Sequence, residues 1–231
     1  MTVTRDVGVV LVAAGASSRL KGNELKQFRW IGGKPMLLHS LQLFHQRDDV
    51  AMVVCVLPRQ YAGDPPPWIF QCDVDRLLVS VGGKVRGESV LHGLEDMPDE
   101  VRIVVVHDAA RPFVTMEVVD AVIAEARNGR GAVAAVPVAD TLKEVDAKGR
   151  IVRTVARDGL WRAQTPQAFP RDMIEWAYSE AKRAQAYATD CAALCERQGA
   201  EVVVVRGSER AAKVTEESDF ALVEAMTRVA T

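Results

Sequence analysis

Short valine-rich apolar runs recur along this chain, most of them followed, after a polar turn or loop, by a stretch of helical periodicity. Val7–Ala13 is the first. It carries no charge, is too short for a helix, and reads as a strand buried on both faces of a parallel sheet. Ala51–Leu57, Leu77–Val81, Arg102–Val106, Ala132–Pro137 and Glu201–Arg206 repeat the pattern. Between them, Pro35 opens a helix to about Gln46 in which Leu38, Leu41 and Phe44 recur at helical spacing. Glu88–Met97 reads as a helix, and Thr115 as the cap of another that reaches Asn128 and closes at Gly129. Strand and helix alternating in this way predict βαβ units, hence an α/β sandwich with a mostly parallel sheet.

One stretch departs from that rhythm. Thr141–Val145 and Ile151–Val155 alternate in polarity around Asp146-Ala147-Lys148-Gly149, which predicts a β-hairpin forming an arm over about 139–157. A two-stranded polar excursion is marginal alone and needs a surface to lie against. Asp64–Pro67 is read as a loop, since its prolines supply no ladder donors. Helices resume at Pro170–Ala186 and Thr189–Arg197, and Glu216–Val229 closes the chain.

At 231 residues the chain has the length of one packed domain. Its net charge of −2 gives no reason to expect a nucleic-acid or membrane partner, so an anionic ligand must meet a local cluster of Lys and Arg. Arg5 and Asp6 interrupt any signal-peptide pattern, and no apolar run is long enough to span a bilayer. Cys55, Cys72, Cys191 and Cys195 are read as packing thiols of a reducing compartment. The expectation is a single cytoplasmic domain.

The loop after the first strand is the place to look for chemistry. In open α/β sheets ligands sit beyond the carboxyl ends of the strands. Ala13, Ala14 and Gly15 are small enough for backbone N–H groups to approach a phosphate closely, and Arg19 and Lys26 supply positive charge. Neither the dinucleotide fingerprint nor the P-loop pattern is present, and Gly82-Gly83-Lys84 has no Ser or Thr after its Lys. Asp108, at the end of a strand, is a candidate oxygen ligand for Mg²⁺, or a carboxylate capping the Ala109–Arg111 turn.

Ala13-Ala14-Gly15 with Arg19, followed by Lys26-Gln27, resembles the signature of nucleotidyltransferases that build sugar- and polyol-nucleotides. Gly82-Gly83 with Arg86, Ser89 and Val90, then His107-Asp108-Ala109-Ala110-Arg111-Pro112, narrow the likeness. Pro137 with Asp140, Thr141 and Lys143 adds to it. Arg157 with Leu160-Trp161, Ala163-Gln164-Thr165-Pro166-Gln167 and Phe169 adds more, and Thr189-Asp190 and Lys213-Val214-Thr215 complete the series. The chain thereby resembles the 2-C-methyl-D-erythritol 4-phosphate cytidylyltransferases from about Val7 to Glu224.

The resemblance implies a Rossmann-like nucleotidyltransferase sandwich with a projecting arm, using CTP, a polyol phosphate and Mg²⁺. It implies Arg19, Lys26 and Lys213 as the catalytic cations around the phosphates. Nucleotide contacts fall to Ala13, Ala14, Gly15, Gly82, Gly83, Ser89, Asp108 and Ala109, with Asp108 also at the metal. Thr141, Arg157 and Thr189 fall to the acceptor, the first two reaching into a partner's site across a homodimer. Ser17, Leu20, Leu25 and Ala211 depart from the family's usual residues. Three other readings remain: a cytidylyltransferase for another acceptor such as ribitol 5-phosphate, a UTP- or dTTP-dependent sugar transferase, and a non-catalytic nucleotide-binding module.

Overall fold

The structure is a computed structural model that describes residues 4–15 and 25–229. In chain order its elements are β1 (Val7–Val12), β2 (Trp30–Ile31), β3 (Lys34–Pro35), α1 (Met36–His45), β4 (Val50–Leu57) and α2 (Arg59–Ala62). Then come β5 (Leu77–Val81), α3 (Arg86–Glu95), β6 (Ile103–Asp108), α4 (Met116–Arg127) and β7 (Gly131–Pro137). The arm strands β8 (Leu142–Val145) and β9 (Ile151–Val155) precede β10 (Trp161–Pro170), α5 (Arg171–Ala184), α6 (Cys191–Arg197), β11 (Val202–Arg206) and α7 (Glu217–Val229).

The valine-rich runs assemble into one seven-stranded sheet in the order β11-β7-β10-β6-β1-β4-β5. Side chains alternate across it, as the period-two geometry of a strand requires. Val7, Val9 and Leu11 of β1 pack toward α1 and α4, against Leu41, Phe44, Val119 and Ile123. Val10 points the other way, to Val90 and Leu94 of α3 and to Ile174 and Tyr178 of α5. Both faces are covered, which is why the strands read as continuous apolar runs rather than alternating ones. Cys55, Cys191 and Cys195 are buried and unbridged within these layers. None of the described helices is long and apolar enough to cross a membrane.

One strand of this seven-stranded sheet was not expected from sequence, nor were the short β2 and β3, which pair with each other. β10 enters between β6 and β7 and runs antiparallel to both. Pro166 supplies no ladder donor, and the pairing with β7 accommodates the Gln164–Gln167 stretch by a register shift between Ala163 and Gln167. The arm forms as expected, β8 pairing antiparallel with β9. Asp146 closes its turn by accepting from the backbone N–H of Lys148 and Arg150, and Gly149 takes φ +77. Val145, Ile151 and Val152 on the arm are exposed.

Two helix starts differ from expectation by local capping. α3 begins at Arg86 rather than Glu88, with the Glu88 carboxylate taking the Lys84 N–H. α6 begins at Cys191 rather than Thr189, with Asp190 as its cap, accepting from the Ala193 N–H.

α3 approaches the sheet closely at Gly93. A Cβ there would lie 2.6 Å from Cγ1 of Val10 and 3.1 Å from Cγ2 of Val56, both fully buried. Neither valine can rotate away within a filled core. We expect Gly93→Val to lower the unfolding free energy by about 1–3 kcal/mol, read as a lower denaturant midpoint with an unchanged slope.

Candidate active site

The carboxyl ends of β1, β5 and β6 open into a cavity of about 310 Å³. Its lining includes Ala13, Ala14 and Gly15 after β1, Gly83 after β5, Arg86 and Ser89 on α3, and Asp108 and Ala109 after β6. Lys26 and Lys213 complete it from the two ends of the chain.

Asp108 is the centre of the cluster. Its side chain is 9% exposed and receives Arg86 Nε at 2.9 Å on one oxygen and Lys213 Nζ at 2.6 Å on the other. The second guanidinium nitrogen of Arg86 sits 2.9 Å from the same oxygen without hydrogen-bond alignment. Burial would push the Asp108 carboxyl up, but the charges of Arg86 and Lys213 outweigh it and hold the group well below the usual carboxylate range. The Ala109–Arg111 turn needs no carboxylate cap, because the Arg111 N–H donates to the Asp108 carbonyl at 2.9 Å. The side chain is thereby left to the cavity.

Lys26 is anchored next to Lys213. Its Nζ donates to the Val214 carbonyl at 3.0 Å. The segment that carries Lys213 is fixed in turn by the Val214 N–H to the Ala110 carbonyl at 2.8 Å and by Arg111 Nη1 to the Ala211 carbonyl at 2.7 Å. Gln27, 2% exposed, holds the first loop by donating its amide to the carbonyls of Ala13 and Gly15.

The Gly82-Gly83 turn is forced by crowding. A Cβ on Gly82 would meet Cβ of Ala14 at 2.2 Å, and one on Gly83 would meet Cβ of Glu88 at 2.2 Å. Ser89 differs from its expected role in one respect. Its hydroxyl donates to the Val85 carbonyl at 3.2 Å and accepts from the Gly83 N–H at 3.1 Å. It therefore shapes the Gly83 wall, with only acceptor capacity left for a ligand.

The expected residues divide by location. Ala13, Ala14, Gly15, Lys26, Gly83, Ser89, Asp108, Ala109 and Lys213 meet in the cavity, with Gly82 behind Ala14. Thr189 lines a neighbouring cleft that shares Val85 and Arg86 with it. Thr141 and Arg157 are exposed at the base of the arm, line neither cavity, and Arg157 bonds to the Ala139 carbonyl. Arg19, with the departures at Ser17 and Leu20, lies outside the described residues.

Sequence reasoning passed over Arg86 as a site residue. The signal was an arginine opening an apolar helix, where a buried guanidinium requires a carboxylate.

The chain matches the family model for 2-C-methyl-D-erythritol 4-phosphate cytidylyltransferase over residues 7–229. The chain belongs to that family. It is 41% identical to the cytidylyltransferase of Frankia casuarinae over 95% of this chain and 80% of that one. Against the Salinibacter ruber enzyme it is also 41% identical, over 95% and 92% of the two chains. The crystal structure of the Thermus thermophilus enzyme superposes with a TM-score of 0.80 at 33% identity, covering 99% of this chain and 100% of that one. This cytidylyltransferase joins CTP to 2-C-methyl-D-erythritol 4-phosphate, giving 4-diphosphocytidyl-2-C-methyl-D-erythritol and pyrophosphate in isoprenoid precursor biosynthesis.

Beside Asp108, His107 is fully buried, and burial pushes its imidazole down to about 4 despite the attraction of Asp108. A histidine whose folded value lies below its unfolded 6.5 binds more protons when unfolded. The stability it contributes is therefore present above pH 6.5 and lost as pH falls toward 4. We expect the cytidylyltransferase to lose about 3 kcal/mol more between those limits than its His107→Asn variant, measured by chemical denaturation across pH.

Proposed function

We propose that Lys26 and Lys213 flank the α-phosphate of CTP, and that the Arg86–Asp108–Lys213 cluster sets the charge and position of that site. What carries the reading is the meeting of Lys26, Lys213 and Asp108 on one cavity from distant parts of the chain. The acceptor's phosphate oxygen attacks the α-phosphorus, a new P–O bond forms, and the bond to the β-phosphate breaks with pyrophosphate carrying away the electron pair. A phosphate monoester is largely deprotonated at neutral pH, so its oxygen needs no general base. The demand is for in-line positioning and for neutralising charge on the equatorial oxygens. Two lysines and the N–H groups after β1 supply both.

Mg²⁺ is part of this proposal. Asp108 is the sole carboxylate lining the cavity among the described residues, and no cluster of three or more potential ligands occurs there. A lone carboxylate suits an ion that takes its remaining ligands from phosphate oxygens and water, and each Asp108 oxygen keeps a lone pair beyond its ion pair. The ion would add positive charge to the triphosphate and stabilise departing pyrophosphate.

The acceptor is assigned to Thr189, beside Arg86, and to Thr141 and Arg157 of a partner subunit. In one subunit the arm's residues stand apart from the cavity and its apolar side chains lack cover, as expected if the arm crosses a homodimer. The near-neutral net charge gives nucleic acid and membranes no role in this reading, and the unbridged cysteines suit a cytoplasmic location.

Pyrophosphate release with Mg²⁺ tests the substrates. We expect turnover with CTP and 2-C-methyl-D-erythritol 4-phosphate, and little with ribitol 5-phosphate, UTP or ATP; a preference for ribitol 5-phosphate would replace the acceptor. Lys26→Ala and Lys213→Ala should each lower turnover about a hundredfold or more while CTP still binds in part, by calorimetry.

Mixing Lys26→Ala with Arg157→Ala subunits under exchange tests the shared site. Half the dimers are then mixed and each has one intact site, so activity should return to about a quarter of wild type. No return despite confirmed exchange would place both residues in one subunit's site.

A further inference from the structure

A line of hydrogen bonds leads from Asp108 away from the cavity and into the core. The ladder between β6 and β10 ends at Val106 and Gln167, where the next residue of β10, Pro166, carries no N–H. The next β6 donor facing β10 is the N–H of Asp108, and it finds no strand carbonyl. The Thr165 hydroxyl accepts it at 3.0 Å. The same hydroxyl lies 3.1 Å from Nδ1 of His107.

Nε2 of His107 lies 3.1 Å from the carbonyl of Arg111, which can only accept, so the ring carries its hydrogen there. In the neutral ring Nδ1 is then the acceptor, and the Thr165 hydroxyl donates to it. The line continues through Arg111 Nη1 to the Ala211 carbonyl, on the segment that delivers Lys213. His107 is 0% and Thr165 4% exposed, so bulk water offers no substitute partner.

We propose that Thr165 and His107 are positioning residues for the cytidylyl transfer, holding the Asp108 backbone and the turn after it against the Lys213 segment. The inference rests on the proposed place of the Asp108–Lys213 pair at the reacting phosphates. Thr165 orders Asp108 from the sheet side, while His107 ties the far end of the turn. Together they leave the two charged groups one relative arrangement before substrate enters.

The direct test is the tautomer of His107 in the wild-type protein, read from its ring ¹⁵N shifts at neutral pH. The Nε2–H form is expected, and the Nδ1–H form would overturn the relay whatever the variants do. Thr165→Val removes the hydroxyl at nearly constant volume, and Thr165→Ser keeps it. We expect Thr165→Val to lower turnover at saturating substrate about tenfold, with KM for CTP little changed, and Thr165→Ser to restore most of the loss. Wild-type turnover in Thr165→Val, or equal losses in both variants, would sink the proposal. Asp108→Asn separates the two levels of the argument. Full activity in Asp108→Asn would overturn the site reading itself, whereas an impaired Asp108→Asn beside an unimpaired Thr165→Val would overturn the relay alone.

Discussion

A carboxylate held almost out of water sets the terms for this molecule. Asp108 keeps its charge only because Arg86 and Lys213 stand on its two oxygens. Desolvating an ion costs several kcal/mol, so the arrangement survives only with close partners on both sides. Those partners come from the start of α3 and from the segment after β11. The same electrostatic demand therefore closes the sheet's carboxyl edge and builds the phosphate site. Removing either cation would disturb stability and chemistry together, since an unpaired charge would be left behind.

The second organising element is the break in β10. Where a regular strand would present backbone groups, Gln164 to Gln167 present side chains. Gln164 brackets the backbone of Ser208, donating to its carbonyl and accepting from its N–H. Thr165 takes the N–H of Asp108. Gln167 accepts from the N–H groups of Cys191 and Ala192 and donates to Asp190, fixing the start of α6. Gln164, Thr165 and Gln167 thus tie the Lys213 segment, the Asp108 turn and the Thr189-Asp190 corner to one point of the sheet. Such a network is stiff when every member has its partner, and Gln164, Thr165 and Gln167 are all buried.

Much of this was readable beforehand. The parallel strands were legible because both faces of the sheet are covered, and double burial writes itself as unbroken valine. The hairpin was legible through Asp146 and Gly149, whose turn chemistry is local. β10 was not, because its polar residues and Pro166 argue against a strand unless side chains can substitute for the ladder. That condition depends on Asp108, Ser208 and α6, which are distant in sequence. Arg86 was quoted for its place in a motif but not assigned to the site, since its partner lies 22 residues away on another element. Ser89 lines the cavity, but the commitment of its hydroxyl to Val85 and Gly83 depends on how the β5 turn folds back on α3.

The position of β10 also matters to how the sheet can be put together as the polypeptide leaves the ribosome. β1, β4, β5 and β6 neighbour one another and can pair while later residues are still being made. β7 follows β6 in the chain but is separated from it in space by a strand not yet synthesised. Until β10 emerges, β6 and β7 both offer bare edges of compatible width and composition, and pairing them directly would give a compact, wrong sheet. The intervening arm delays β10 further, so the interval of exposure is set by the length of the very excursion proposed to reach the partner subunit.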